Sequence, residues 1–347
     1  MIRKIYSRVK KIWKNTFLGR TKKNDNPIRW GVIGLGNMAE TLSCAIDGSS
    51  DGVVYAVASR TLEKAKRFAS HHGHCHAYGS YEEMINDKTL NIDVVYIATP
   101  VKYHYEHAKL CLEAGLNVLC EKPITSNIEQ LDELINIAKH NGCFLMEGMW
   151  MKCLPSFQKA NQWICEGRIG EVELIKVDFY KREQIRDGYA IYNANECGGI
   201  LRDFGVYAIA FMEYFIGGVP EKIHAMYRVS SHGIDSDWQI ATENNGLKSV
   251  VNLSSNFGAL SKAAVIGKNG SIEWNSQFNR TNCVTLYDAN GNTMDKFSTS
   301  YAYDGFEYEV NEVHNCIRKG LKESSIVTLN STYNTMQIID CLYKSCN

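Results

Sequence analysis

The sequence predicts an α/β protein in two parts. An N-terminal doubly wound parallel sheet is followed by an α/β domain built on a large, mostly antiparallel open sheet. Three observations carry this. Short apolar runs alternate with helical patterns from residue 28 to residue 146, the βαβ rhythm of a parallel sheet. A glycine-rich turn stands between the first strand and the first helix. Beyond residue 147 the rhythm becomes one of closely spaced strands joined by Gly, Asn and Ser turns, as an antiparallel sheet requires.

The bulk properties narrow the class. The 347 residues suffice for two domains with sizeable cores. The formal net charge is zero, so nothing global points to nucleic acid. The 12 cysteines form no C-x-x-C pair and no Cys/His cluster at zinc spacing. Disulfide scaffolds and metal sites are therefore not expected, and a reducing cytoplasm is. No apolar run reaches the roughly 18 residues of a membrane span.

Residues 1–26 read as a basic arm. Ile2, Ile5, Tyr6, Val9, Ile12 and Trp13 recur at helical spacing, and residues 1–24 hold nine Lys and Arg but no acid. Such a helix can lie on an anionic membrane surface or dock on a partner, but the arm reads first as a poorly ordered or crystal-packed extension. Asp25-Asn26-Pro27 marks the start of a nucleotide-binding domain over 27–148, and 149–347 forms the substrate-binding and oligomerisation domain.

Ile28–Ile33 is the first strand. Gly34-Leu35-Gly36-Asn37-Met38-Ala39 follows, then a helix through Ile46. Gly34 permits the tight turn, Gly36 lets backbone approach a pyrophosphate, and Ala39 keeps helix and sheet close. The helix N-terminus, at Asn37 and Met38, offers N–H groups to phosphates. Val53–Ala58 is the second strand. It ends in Ser59-Arg60-Thr61 rather than an acid. An acid would bind a ribose 2′-hydroxyl, whereas a hydroxyl and a guanidinium suit a 2′-phosphate, with Lys64 adding charge one turn on. NADP is therefore expected over NAD.

A helix over 61–72 leads to His71, His72, His74 and His76, read as a solvated helix end and loop. Tyr81–Asn86 is a short helix. Strand Ile92–Ala98 ends at Thr99-Pro100-Val101-Lys102-Tyr103-His104. After helix 105–114, the buried strand Gly115–Leu119 runs into Cys120-Glu121-Lys122-Pro123. A charged pair at such a strand end points into the ligand crevice of an α/β domain. Helix Asn127–Asn141 and strand Cys143–Met146 close the sheet. Pro155–Glu166 is helical, Glu173–Tyr180 is a strand, and 182–196 is irregular. A Gly198-Gly199 entrance opens an apolar helix running to Phe215. Strands are expected over 221–229, 236–243, 248–256, 262–267, 270–275, 283–287 and 293–298, with helices over 306–319 and 331–345.

Together, Gly34–Ala39, Thr99-Pro100-x-x-x-His104, Glu121-Lys122-Pro123 and Gly198-Gly199-x-x-x-Asp203-x-Gly205-x-Tyr207 resemble the Gfo/Idh/MocA oxidoreductases. The resemblance spans roughly 28–346 and includes Gly305-Phe306-Glu307-Tyr308-Glu309. Met146-Glu147-x-x-Trp150 and Tyr207 look most like the dihydrodiol dehydrogenase branch. The family implies a Rossmann domain, NAD or NADP, and a sugar, cyclitol or other polyol as substrate. It implies Lys122, Asp203 and Tyr207 as the catalytic set. Thr99, Pro100, His104, Glu121 and Lys122 then face the cofactor, and Lys122, Trp150, Lys152, Asp203 and Tyr207 face the substrate. Related branches carry Arg at Lys152 and an apolar residue at Arg202.

The expectation is thus an NADP-dependent oxidoreductase acting on a secondary alcohol, or its carbonyl, in a sugar, cyclitol or diol. The rivals are an NAD-linked inositol or sugar dehydrogenase and a silent cofactor-binding sensor or scaffold. An open sheet face predicts a homodimer or homotetramer.

Overall fold

The computed structural model describes residues 22–182 and 198–345. Most of the basic arm and of the irregular stretch at 182–196 lies outside the described residues. The chain divides into two compact units. One takes residues up to Thr125, Glu129–Trp150 and Tyr301–Ile326; the other takes Ser126–Ile128, Met151–Ser300 and Val327 onward.

In the first unit, six strands pair in parallel in the order β3-β2-β1-β4-β5-β6. They are β1 (Ile28–Ile33), β2 (Gly52–Ala58), β3 (His76–Tyr78), β4 (Val94–Ile97), β5 (Asn117–Glu121) and β6 (Leu145–Gly148). All four β4 side chains are buried, as expected of a strand covered on both faces. The order reverses direction between β1 and β4, which puts a ligand crevice at the carboxyl ends of those strands. Helices α1 (Asn37–Gly48), α2 (Leu62–Ala69), α3 (Tyr81–Asn86), α4 (His104–Glu113) and α5 (Ile128–Asn141) lie in the connections. The sequence reading missed β3. It is three residues long, sits on the sheet edge, and His76 on it is exposed, so it carries no apolar signal. The returning helix α8 (Phe306–Arg318) joins this unit through a buried side. His314, on α8, accepts the Trp30 indole N–H at 3.0 Å.

The second unit holds an eight-stranded sheet in the order β14-β13-β12-β11-β7-β10-β9-β8. Strand β7 (Val172–Tyr180) runs parallel to β10 (Leu247–Ser254). Every other pairing is antiparallel, through β8 (Lys222–Val229), β9 (Asp235–Asn244), β11 (Lys262–Gly267), β12 (Gly270–Trp274), β13 (Cys283–Asp288) and β14 (Thr293–Ser298). Helices α6 (Pro155–Cys165), α7 (Val206–Ile216) and α9 (Leu329–Lys344) belong to this unit. Its inner layer is aromatic: Phe211 packs edge-on to Trp274 at 5.0 Å and to Phe157 at 5.9 Å, a geometry favoured by ring quadrupoles. The opposite sheet face is open, with Met226 at 68% and Val250 at 36% exposure.

The helix predicted from the Gly198-Gly199 entrance to Phe215 is not α-helical throughout. Leu201–Gly205 forms a π-turn, which passes into α7. Gly205 is closely packed there: a Cβ would lie 2.8 Å from the end of the Leu253 side chain and 3.0 Å from the Ile200 carbonyl oxygen. Among the described residues, no helix is long and apolar enough to cross a membrane.

Candidate active site

The first unit shapes a cofactor cradle at the β1–α1 turn. Gly34 has φ +83°, and a Cβ on it would lie 2.4 Å from the Thr99 backbone nitrogen. The turn can therefore touch the end of β4 only with glycine at this place. A Cβ on Gly36 would meet only the Gly34 oxygen, at 3.9 Å, so the space in front of the turn is open. Gly36 is the N-cap of α1 and no side chain caps it. Asn37 and Met38 are exposed at its first turn, and Ala39 is fully buried. Ser59 is buried at the end of β2, while Arg60 and Lys64 are exposed. These features fit a dinucleotide, with its pyrophosphate on the helix N-terminus.

The α1 helix is fastened from behind by a group that sequence reasoning left in solvent. His72 is 5% exposed. Its Nδ1 lies 2.7 Å from Asp47 Oδ2, and its Nε2 faces Glu40 at 3.6 Å. Burial opposes the charge, but the hydrogen bond to Asp47 and the nearby Glu40 carboxylate outweigh it and hold the pKa at about 9. The local run of histidines hid this, because both carboxylates come from another helix.

At the carboxyl end of β4, His104 is 1% exposed. Its Nε2 lies 2.7 Å from the Thr99 carbonyl and its Nδ1 lies 2.8 Å from the Pro123 carbonyl. Burial lowers its pKa to about 4, and in that neutral form the ring has one N–H, which donates to one of the two carbonyls. Thr99 Oγ1 lies 3.0 Å from His107 Nδ1. Pro100 caps the short turn after Thr99.

Lys122 follows β5, half-buried, and its peptide bond to Pro123 is cis. Buried acids surround the base of its loop. Glu121 accepts the Tyr96 hydroxyl at 2.6 Å and the Lys122 amide at 3.3 Å. Glu147, at the end of β6, accepts the Ile124 amide at 3.1 Å. Glu309, from α8, is 1% exposed and its Oε1 has no hydrogen-bond partner. Burial, then the Glu121 and Glu147 carboxylates, push its pKa well above the carboxylate range. Burial also raises Glu121. Phe306, one turn earlier on α8, stacks on Trp150 at 4.3 Å between centroids, and both belong to the first unit.

The second unit holds Asp203 and Tyr207. Asp203 is half-buried in the π-turn, and Tyr207 is 8% exposed in the first turn of α7. The Lys152 ammonium, in this unit, is committed internally. It lies 3.3 Å from Glu213 Oε2, hydrogen-bonds Ser331, and stands 5.5 Å from the Tyr214 ring. Asn334 donates to the other Glu213 oxygen at 3.1 Å. Arg202 lays its guanidinium on the Tyr343 ring at 4.3 Å. The structure thus gathers Gly34, Gly36, Ser59, Arg60, Thr99, His104, Glu121, Lys122 and Trp150 in one unit, and Lys152, Asp203 and Tyr207 in the other.

Comparison with known proteins agrees with this architecture. Residues 28–149 match the model of the oxidoreductase family with an NAD-binding Rossmann fold, and residues 157–273 match the GFO/IDH/MocA C-terminal domain. The trans-1,2-dihydrobenzene-1,2-diol dehydrogenase of Xenopus tropicalis is 31% identical over 330 residues, covering 90% of this chain and 96% of the frog protein. The human enzyme of that name is 29% identical, covering 92% and 96%. A crystal structure of a 3-ketoreductase from Actinomadura kijaniata, in complex with NADP and TDP-benzene, superposes with a TM-score of 0.81 at 24% identity. It covers 92% of this chain and 98% of its own.

Proposed function

The chain belongs to the Gfo/Idh/MocA family of NAD(P)-binding oxidoreductases, and from that premise we propose an NADP-dependent enzyme that moves a hydride between the nicotinamide and a secondary alcohol, or its carbonyl, of a sugar, cyclitol or diol. One observation carries the reading: an uncapped helix behind an obligatory glycine turn shares a unit with Lys122 at the end of β5. The first unit serves the cofactor and supplies Lys122 and Trp150, and the second supplies Asp203 and Tyr207.

When bound, the nicotinamide supplies the hydride acceptor or donor. The chain manages the proton. Tyr207 takes the hydroxyl proton as the carbonyl forms and returns it in the reverse direction. A phenol titrates near 10 in water, at roughly its reference value, so a positive charge must favour the ionised form. Lys122 supplies that charge and holds the reacting oxygen. Asp203, one helical turn before Tyr207, orients a substrate hydroxyl. Glu121 fixes the Lys122 amide, and His104 fixes the loop that follows. Trp150 lines the substrate side, and Lys152 supports the second unit's wall through Glu213.

On the cofactor, Gly34, Gly36, Asn37 and Met38 take the pyrophosphate, while Thr99 and Pro100 line the nicotinamide. Ser59, Arg60 and Lys64 meet the 2′-phosphate. A charged hydrogen bond is worth roughly 1.5–3 kcal/mol, so Arg60→Ala should weaken NADP relative to NAD by about ten- to a hundredfold. Tighter binding of NAD by the intact chain would favour the NAD-linked reading.

The direct test follows cofactor reduction by absorbance across a panel of pyranoses, cyclitols and trans-diols. The relatives' name places trans-1,2-dihydrobenzene-1,2-diol on it. Turnover by the intact chain that is lost in Lys122→Met is the expected result. Tight NADP binding with no turnover on any compound would leave a sensor or scaffold. The open sheet face, with Met226 and Val250, is assigned to self-association; a monomer by light scattering would remove that assignment.

A further inference from the structure

Three hydrogen-bond donors converge on one buried carboxylate in the second unit. Asp235 begins β9 and is 5% exposed. Its Oδ2 accepts the Leu201 backbone N–H at 2.9 Å and the Trp238 indole N–H at 2.7 Å. Its Oδ1 accepts the Tyr343 hydroxyl at 3.0 Å. Leu201 is the first residue of the π-turn, so Asp235 takes an N–H that a helix start leaves without an internal partner. Gly199 completes the fit. It has φ +124°, and a Cβ there would lie 2.0 Å from Asp235 Oδ1.

We propose that Asp235 is a positioning residue for the reaction: it clamps the entrance of the helix that carries Asp203 and Tyr207, and so fixes where those side chains stand. The proposal rests on the assignment of Asp203 and Tyr207 to the chemistry. A π-turn is a rare, loosely bonded geometry often found at functional sites, and it persists where its surroundings over-determine it. Here a charged acceptor, three donors and an excluded Cβ do so. The anion also sits at a helix N-terminus, where the aligned peptide dipoles favour it. Tyr343 links the clamp to the Arg202 side chain, whose guanidinium lies on its ring and whose Nη2 reaches the Ser126 carbonyl at 3.5 Å. Arg202 therefore braces the same entrance.

The test uses Asp235→Asn and Tyr343→Phe in the full chain. Asparagine keeps one acceptor oxygen and loses the other. Amide hydrogen exchange over residues 199–207 should quicken by about tenfold or more. The kcat with NADP and trans-1,2-dihydrobenzene-1,2-diol, or whichever panel compound the intact enzyme turns over, should fall by about tenfold or more. The NADP Kd should stay within about twofold, because the cradle is in the other unit. Gly199→Ala should reproduce the signature, and its combination with Asp235→Asn should fall short of the product of the single effects. Faster exchange with unchanged kcat overturns the proposal, as does a lower kcat with unchanged exchange. No turnover by the wild-type chain refutes the parent reading and this proposal with it; the exchange measurement then shows whether the clamp itself exists. Should Asp235→Asn not fold, Tyr343→Phe removes a single hydrogen bond and must shift both readouts in the same direction by about threefold.

Discussion

His72 gives the clearest quantitative handle on the cofactor cradle. It stands just beyond α2 and binds Asp47 on α1 at 2.7 Å, with Phe68 stacked on its ring at 4.7 Å. Its pKa rises from 6.5 to about 9 on folding, because Asp47 and Glu40 outweigh the desolvation that opposes charge. A group raised in the folded state stabilises fully below its unfolded pKa and loses that contribution as pH climbs through the folded one. At about 1.4 kcal/mol for each tenfold change, His72 contributes roughly 3 kcal/mol on the acid side of that window. Replacing it with glutamine keeps a polar group and removes the titration. Urea unfolding of wild type and His72→Gln, from about pH 6 to about pH 10, isolates this residue from the other titrating groups. The stability difference should be largest near pH 6 and shrink by roughly 3 kcal/mol across the range. NADP affinity should weaken alongside, because α1 is the helix proposed to hold the pyrophosphate at its N-terminus. A difference that stays flat, or grows with pH, would refute a charged His72 in the folded protein.

Gly34→Ala forces a side chain into φ +83° and within 2.4 Å of the Thr99 nitrogen. Beyond the left-handed penalty of roughly 1–2 kcal/mol, the β1–α1 turn must leave β4, so both melting temperature and NADP affinity should fall. Lys152→Met leaves Glu213 buried and unpaired, which should destabilise by about 3–5 kcal/mol in unfolding experiments; Lys152→Met with Glu213→Leu should recover much of that. Glu309→Gln tests the buried acid beside Glu121 and Glu147. Its raised pKa means a contribution present below the ordinary carboxylate range and lost as pH rises, so the wild type should lose stability relative to Glu309→Gln from acid to alkaline pH. A parallel pH dependence of the two proteins would show that Glu309 does not titrate there.

The parts of the site that were legible in the sequence are those set by neighbours along the chain. Gly34 and Gly36 work through one turn, and their spacing announces it. Lys122 is announced by the apolar run before it, whereas Asp203 and Tyr207 come from the resemblance of the Gly198–Tyr207 stretch to the family pattern. The parts that were not legible are buried charges whose partners come from distant segments. His72 looked solvated because Asp47 lies on another helix. Lys152 looked like a substrate contact, yet Glu213 and Ser331 enclose its ammonium. Glu309 stood in a recognised pattern, but only the return of α8 to the first unit places it against Glu121 and Glu147.

That division has a physical cause. A turn or cap gains its energy from backbone conformation, which residue type controls directly. A buried ionisable group gains nothing until partners meet its full desolvation penalty, and those partners can come from any distance in sequence. Each unit therefore shows the same construction: a locally encoded element, here proposed for binding or chemistry, beside a nonlocal polar support. The Lys122 loop is held through Glu121 and Glu147, with Glu309 against them; α1 is held by His72; the Asp203–Tyr207 helix is held by Asp235. Substitutions in the reactive elements should abolish binding or turnover while the fold survives. Substitutions in the supports should move stability, pH dependence and kcat together, because geometry and electrostatics there are carried by the same side chains.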